Sequence, residues 1–137
     1  MRSIITTAAL GLALFLGSAC GGDGYGGDTP PATQSQSDAL NGCSTYTDHT
    51  SASDAREIAW GFEVTSDPAH CMTVKVGQTV HWNGNLGSHP LGVKGGDSPS
   101  PIATVDPTGH VTFTAAGTYG YTCTVHSPMI GAIKVVE

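Results

Sequence analysis

Side chains that bind soft metal ions lie close together near the end of the chain. Cys123, His126 and Met129 follow one another in the spacing Cys-x-x-His-x-x-Met, and His89 lies upstream of them. Thiolate and thioether sulfurs favour Cu(I), and imidazole nitrogens also accept Cu(II). A trigonal set of two imidazoles and one thiolate, with a weak axial thioether, makes a type 1 copper site. These four residues therefore predict a site for one copper ion that exchanges single electrons.

The upstream ligand is the least constrained member of this set, because it lies outside the short motif. We predict His89, which lies in a stretch rich in Gly and Pro. The other histidines are weaker alternatives, since each adjoins or lies on a predicted strand or lies in the irregular N-terminal part of the domain: His49, His70, His81 and His110.

The N-terminus predicts export and attachment to a membrane. A positive start and a short apolar stretch within residues 1–19 are typical of a signal peptide and too short for a stable membrane anchor. Leu-Gly-Ser-Ala before Cys20 resembles a bacterial lipobox, which predicts a lipid on Cys20. Residues 20–42 are rich in Gly, Ser, Thr and Pro and predict a flexible tether. The folded domain is predicted at 43–137, in the periplasm or at the cell surface.

The four cysteines of the chain have to be divided between different roles. If Cys20 carries the lipid, three remain in an oxidising compartment, so one stays outside any intramolecular disulfide. Cys123 is flanked by metal-binding residues, which leaves Cys43 and Cys71 to pair. A disulfide from Cys123 to either of them is the alternative, and it would remove the thiolate from the metal site.

Short runs with alternating or β-branched residues predict an all-β domain. These runs are bounded by turn residues, and no window shows helical periodicity; they occupy 58–64, 72–76, 79–82, 110–113, 119–122 and 132–136. We expect an antiparallel β-sandwich of about seven or eight strands. Residues 76–79 predict a tight hairpin between two strands, residues 107–109 another turn, and residues 83–103 a long loop around His89. The large aromatic residues are predicted to lie in the core or on a sheet face: Trp60, Phe62, Trp82, Phe113, Tyr119 and Tyr121.

Residues 117–133, Gly-Thr-Tyr-Gly-Tyr-Thr-Cys-Thr-Val-His-Ser-Pro-Met-Ile-Gly-Ala-Ile, resemble the C-terminal signature of the cupredoxins. The short Cys-x-x-His-x-x-Met spacing is most similar to the plastocyanin/amicyanin-like group, and residues 72–82 resemble the hairpin that precedes the upstream ligand. The resemblance implies a Greek-key β-sandwich with the metal at one end. It also implies His89, Cys123 and His126 as copper ligands, with Met129 in the axial position.

The residue after the upstream histidine departs from the family pattern. Most relatives have an Asn there, whose backbone N–H donates to the cysteine sulfur, whereas this chain has Pro90, which has no N–H. A hydrogen bond to a thiolate withdraws electron density and raises the reduction potential. We therefore expect a lower potential than a Pro90→Asn variant would have.

Composition and motifs narrow the class of function. The formal net charge of −6 and the absence of a basic patch argue against nucleic-acid binding. No nucleophile–base pair or second metal motif indicates an enzyme. We predict a monomeric electron carrier that serves redox protein partners. One alternative is a copper scavenging or delivery protein, which the three methionines support weakly; another is a metal-free adhesion or interaction module.

Overall fold

The computed structural model describes residues 39–137. The predicted signal peptide at 1–19, the predicted lipid site Cys20 and most of the predicted tether at 20–42 lie outside the described residues. Within the described range, no helix is both long enough and apolar enough to cross a bilayer.

Strands and short turns account for nearly all regular structure in residues 39–137. The strands are β1 Thr47–Asp48, β2 Glu57–Trp60, β3 Cys71–Lys75, β4 Thr79–Gly84, β5 Leu91–Gly96, β6 His110–Thr112, β7 Gly117–Cys123 and β8 Ile130–Val136. Single 3₁₀ turns lie at Val64–Ser66, Pro68–His70 and Pro101–Thr104, and this range contains no α-helix. The absence of helical periodicity in the sequence agrees with this result.

Two sheets form the domain, with strand orders β1-β3-β8-β7-β5 and β2-β4-β6. Buried side chains from both sheets form one core, in which Trp82, Tyr121 and Phe113 are among the largest. The predicted all-β sandwich is therefore confirmed. The sheets are mixed, however: β1–β3, β3–β8 and β2–β4 are parallel, whereas β4–β6, β5–β7 and β7–β8 are antiparallel.

The predicted hairpin at residues 76–79 is wrong, because β3 and β4 belong to different sheets. The turn itself is tight: the Gln78 N–H donates to the Lys75 carbonyl at 3.0 Å, and Gly77 has a φ of 87°, which glycine adopts without strain. Both strands bury alternate side chains, Met72 and Val74 on β3 and Val80 and Trp82 on β4. The two strands therefore lie on either side of the core instead of pairing with each other.

Two other predicted elements differ from the structure. The strand predicted at 58–64 ends at Trp60, and the chain then enters the Val64–Ser66 turn. The stretch predicted as a loop at 83–103 contains β5, which lies at the edge of the larger sheet. β5 was not predicted, because it carries three glycines and has no alternating apolar pattern. Its glycines allow close approach: a Cβ on Gly96 would overlap the Thr118 carbonyl oxygen.

Residues just before Cys43 are part of the domain. Leu40 packs against Cys43 and Cys71, which the structure joins in a disulfide. The Asn41 side-chain amide donates to the backbone carbonyls of Lys94, Tyr121 and Gly131 at 3.0, 3.3 and 2.9 Å. These two residues, which the sequence assigns to the tether, hold the start of the domain against β5, β7 and β8.

Candidate metal centre

The short ligand motif lies where two paired strands meet a tight loop. Cys123 is the last residue of β7, and Met129 immediately precedes β8. The Cys123 N–H donates to the Met129 carbonyl at 2.8 Å, and the Met129 N–H donates to the His126 carbonyl at 3.1 Å. The antiparallel pairing of β7 with β8 holds both ends of the loop. The spacing Cys-x-x-His-x-x-Met thus folds into a loop whose shape the sheet dictates.

His89 reaches this loop from the connection between β4 and β5. Its own N–H donates to the Asn85 carbonyl at 2.9 Å, which folds the connection back on itself. On the other side, Leu91 of β5 pairs with Cys123, and the Thr124 N–H donates to the Pro90 carbonyl at 2.9 Å. Strand pairing therefore places His89 beside a residue far away in the sequence.

Three of the predicted ligands bring their donor atoms together. The Cys123 Sγ lies 3.5 Å from the His126 Nδ1 and 4.0 Å from the His89 Nδ1, and the two Nδ1 atoms are 3.0 Å apart. The point equidistant from the three donor atoms lies about 2.1 Å from each of them. This distance is within the range of about 2.0 to 2.3 Å for bonds from nitrogen and sulfur to a transition metal. One metal ion would thus fit among the three atoms without rearrangement.

The sulfur-bearing side chains of the site are sheltered from water. Cys123 is 2% exposed, Met129 is buried, and both belong to the same core cluster. Cys123 is the free cysteine among residues 39–137. A buried, unpaired thiol beside two imidazoles is a donor set that suits copper, and the cluster of His89, Cys123, His126 and Met129 fits one type 1 copper site.

The alternative histidines make contacts with other groups. His81 and His110 stack on each other across β4 and β6, with ring centroids 4.1 Å apart, and His81 Nδ1 lies 3.7 Å from a Glu57 oxygen. His49 Nδ1 contacts the Ala55 carbonyl. His70 lies near Cys43 and Cys71, whose sulfurs are bonded to each other.

Aromatic residues pack on one another in the core around the strand that ends at Cys123. Tyr121 packs edge-on against Trp60 and Trp82, with centroids 5.8 and 5.2 Å away. Its hydroxyl donates to the His70 carbonyl at 2.9 Å, and burial raises the pKa of Tyr121 well above its usual range. This tyrosine therefore stays neutral and gives the strand that ends at Cys123 a fixed position.

Two aromatic residues next to the site have contacts that the sequence did not predict. Trp60 is buried as expected, but its indole N–H also donates to the His89 carbonyl at 2.7 Å. Phe62 was predicted to lie in the core or on a sheet face; that prediction is wrong, because its side chain is 62% exposed and contacts both ligand imidazoles. No local signal in the sequence indicates this, because the predicted strand continues through Phe62 to residue 64.

Comparison with known proteins agrees with the fold and the site. Amicyanin from Paracoccus versutus is similar to this chain, with 37% identity over 70 residues, which cover 47% of this chain and 53% of amicyanin. The match thus spans about half the length of this relative. No family model and no solved structure matches the chain. The β-sandwich, the donor set and this similarity together support a cupredoxin-like protein with one type 1 copper site.

Proposed function

We propose that the protein is a blue-copper electron carrier. His89, Cys123, His126 and Met129 would hold one copper ion, with two imidazoles, a thiolate and a thioether as the donor groups. The observation that carries the proposal is the triangle of one free thiol and two imidazole nitrogens, with sides of 3.0, 3.5 and 4.0 Å. Copper bound there supplies the Cu(II)/Cu(I) couple.

The chain would contribute a ligand set whose backbone is held by strand pairing whether the metal is oxidised or reduced. Strands β7 and β8 hold Cys123 and Met129, and the pairing of β5 with β7 holds His89. Burial of both sulfurs keeps competing ligands and water away from them. Four side-chain ligands leave no open position for a substrate, which favours an electron carrier over an enzyme. His126 lies in the ligand loop and is half-buried, as is His89, so its imidazole offers a route by which the electron enters or leaves.

Export, anchoring and partners complete the proposal. The protein is exported and attached to a bacterial membrane through a lipid on Cys20, acts as a monomer, and docks weakly with redox protein partners near His126. Transient docking suits a carrier that must release its partner quickly. Replacing Cys20 with Ser should move the full chain from the membrane fraction to the soluble fraction, and continued membrane association would contradict the lipid anchor.

Visible absorption of the copper-loaded full chain tests the copper site. We expect an intense thiolate-to-Cu(II) band in the red part of the visible spectrum, lost on reduction and restored on oxidation without loss of metal. Cys123→Ser should abolish the band, whereas the matched control His110→Ala should keep it, because His110 lies on the other sheet. A colourless oxidised protein would refute the proposal, and metal loss during cycling would favour copper delivery instead.

A further inference from the structure

Phe62 is unusual among the large apolar residues of the domain. It follows β2 by two positions and is 62% exposed, although burial of a phenylalanine side chain is normally favourable. Its neighbours fix its backbone: the Val64 N–H donates to the Gly61 carbonyl at 3.1 Å, and the Ser66 N–H donates to the Glu63 carbonyl at 2.9 Å. Core packing therefore does not explain why a phenylalanine lies at this position of a hydrogen-bonded backbone.

The ring of Phe62 contacts both imidazoles of the metal centre. Its centroid lies 5.0 Å from that of His89, with the planes at 84°, and 4.9 Å from that of His126, with the planes at 72°. Both arrangements are edge-to-face, which aromatic pairs prefer. The two imidazoles are themselves 4.8 Å apart. One exposed ring therefore spans ligands that belong to two different loops.

A second contact ties the same segment to the site. Two residues before Phe62, the Trp60 indole N–H donates to the His89 backbone carbonyl at 2.7 Å. The segment from Trp60 to Phe62 thus holds His89 at its backbone and at its ring. His126 is held at its ring alone by this segment. An imidazole that turned its Nδ1 away from the triangle would give up its edge-to-face contact with the Phe62 ring.

We propose that Phe62 is a positioning residue for the metal centre: its ring keeps both ligand imidazoles in their binding orientation and closes the protein surface over them. The inference rests on the proposed copper site. In the metal-free protein, Phe62 keeps the two Nδ1 atoms directed towards Cys123. In the loaded protein, it slows the ligand movements through which copper leaves.

Removal of copper by a chelator tests this role. Bicinchoninate, which binds Cu(I), should extract copper from the reduced Phe62→Ala variant about tenfold faster than from the wild type, because two aromatic contacts are lost. Phe62→Tyr keeps the ring and should behave like the wild type. Val125→Ala is the matched control, since Val125 is a similarly exposed apolar residue, at 65%, on the ligand loop. Equal extraction rates for Phe62→Ala and the wild type would overturn the inference.

Proton NMR of the metal-free protein gives a readout that does not depend on copper. The wild type should show nuclear Overhauser effects from the Phe62 ring to both imidazoles. In Phe62→Ala the ring signals of His89 and His126 should shift and broaden as the rings gain freedom, whereas those of His81 and His110 should stay unchanged. Absent contacts, or unchanged ligand-ring signals, would overturn the positioning role. A colourless wild type would instead refute the copper site, so the two failures are distinguishable.

Discussion

Replacing Asn41 should destabilise the domain although this residue lies near the N-terminal end of the described chain. Its side-chain NH₂ has two hydrogens and three carbonyl acceptors, of which Gly131 and Lys94 are the closer, at 2.9 and 3.0 Å. Its φ of 54° is accessible to Asn and Gly at little cost. Asn41→Gly therefore isolates the loss of the hydrogen bonds from any backbone strain.

The expected magnitude follows from the two stronger hydrogen bonds. Each contributes about 0.5 to 1.5 kcal/mol, so Asn41→Gly should lower the free energy of unfolding by about 1 to 3 kcal/mol. For a domain of this size, that lowers Tm by roughly 5 to 20 °C. Asn41→Ala should cost about 1 kcal/mol more, because an alanine side chain disfavours positive φ. Asn41→Asp should be worse still, since a carboxylate would face carbonyl oxygens.

Thermal and denaturant unfolding of the metal-free full chain, followed by circular dichroism, measures this series. Asn83→Ala is the control: its amide also donates to an oxygen, on Glu57, but both side chains are exposed. That variant should change stability by less than about 0.5 kcal/mol. If Asn41→Asp were as stable as the wild type, the three carbonyl contacts of Asn41 would have no energetic role.

Three further variants test the site and its support. Pro90→Asn should raise the reduction potential by some tens of millivolts in voltammetry, because it restores an N–H that can donate to the thiolate. Gly131→Ala should lower stability by about 1 to 3 kcal/mol in denaturant unfolding, since its Cβ would overlap the His70 carbonyl oxygen. The double variant Cys43→Ala/Cys71→Ala should lose about 3 kcal/mol by the same assay, because the disulfide closes a loop across a sequence separation of 28.

These substitutions have separate controls. Pro90→Ala also introduces an N–H, so it should raise the potential as well; an unchanged or lower potential in both variants would contradict the reasoning on Pro90. Gly61→Ala should leave stability nearly unchanged, because a Cβ there meets no atom within 4 Å. Loss of the copper band in the cysteine double variant would conflict with Cys123 as the ligand thiol.

The parts of the fold and site that could be predicted are those that depend on local sequence. The spacing of Cys123, His126 and Met129 needs only one loop between two strands, and the alternation in β4 reports burial on one face. β5 could not be predicted in this way, because its stability comes from pairing with β7 and its glycines carry no pattern.

The rest depends on contacts between distant segments. An apolar strand pair joined by Gly77 is compatible with a hairpin or with a crossing between sheets, and only the packing of the whole core decides between them. The exposed position of Phe62 likewise depends on two histidines from other loops. Asn41 lies in a stretch whose composition is typical of a linker, yet its partners lie on three strands.

The position of β8 in the larger sheet affects the stage of folding at which the copper site can form. β8 is the last strand of residues 39–137, and it joins β3 to β7 at the centre of the larger sheet. Until β8 is in place, β3 pairs only with β1 and β7 only with β5, so the larger sheet is divided in two. The pairing of β8 with β3 joins segments far apart in sequence, and such pairings form slowly. Because β8 also holds one end of the ligand loop, we expect that copper is captured only once β8 has paired with β7 and β3.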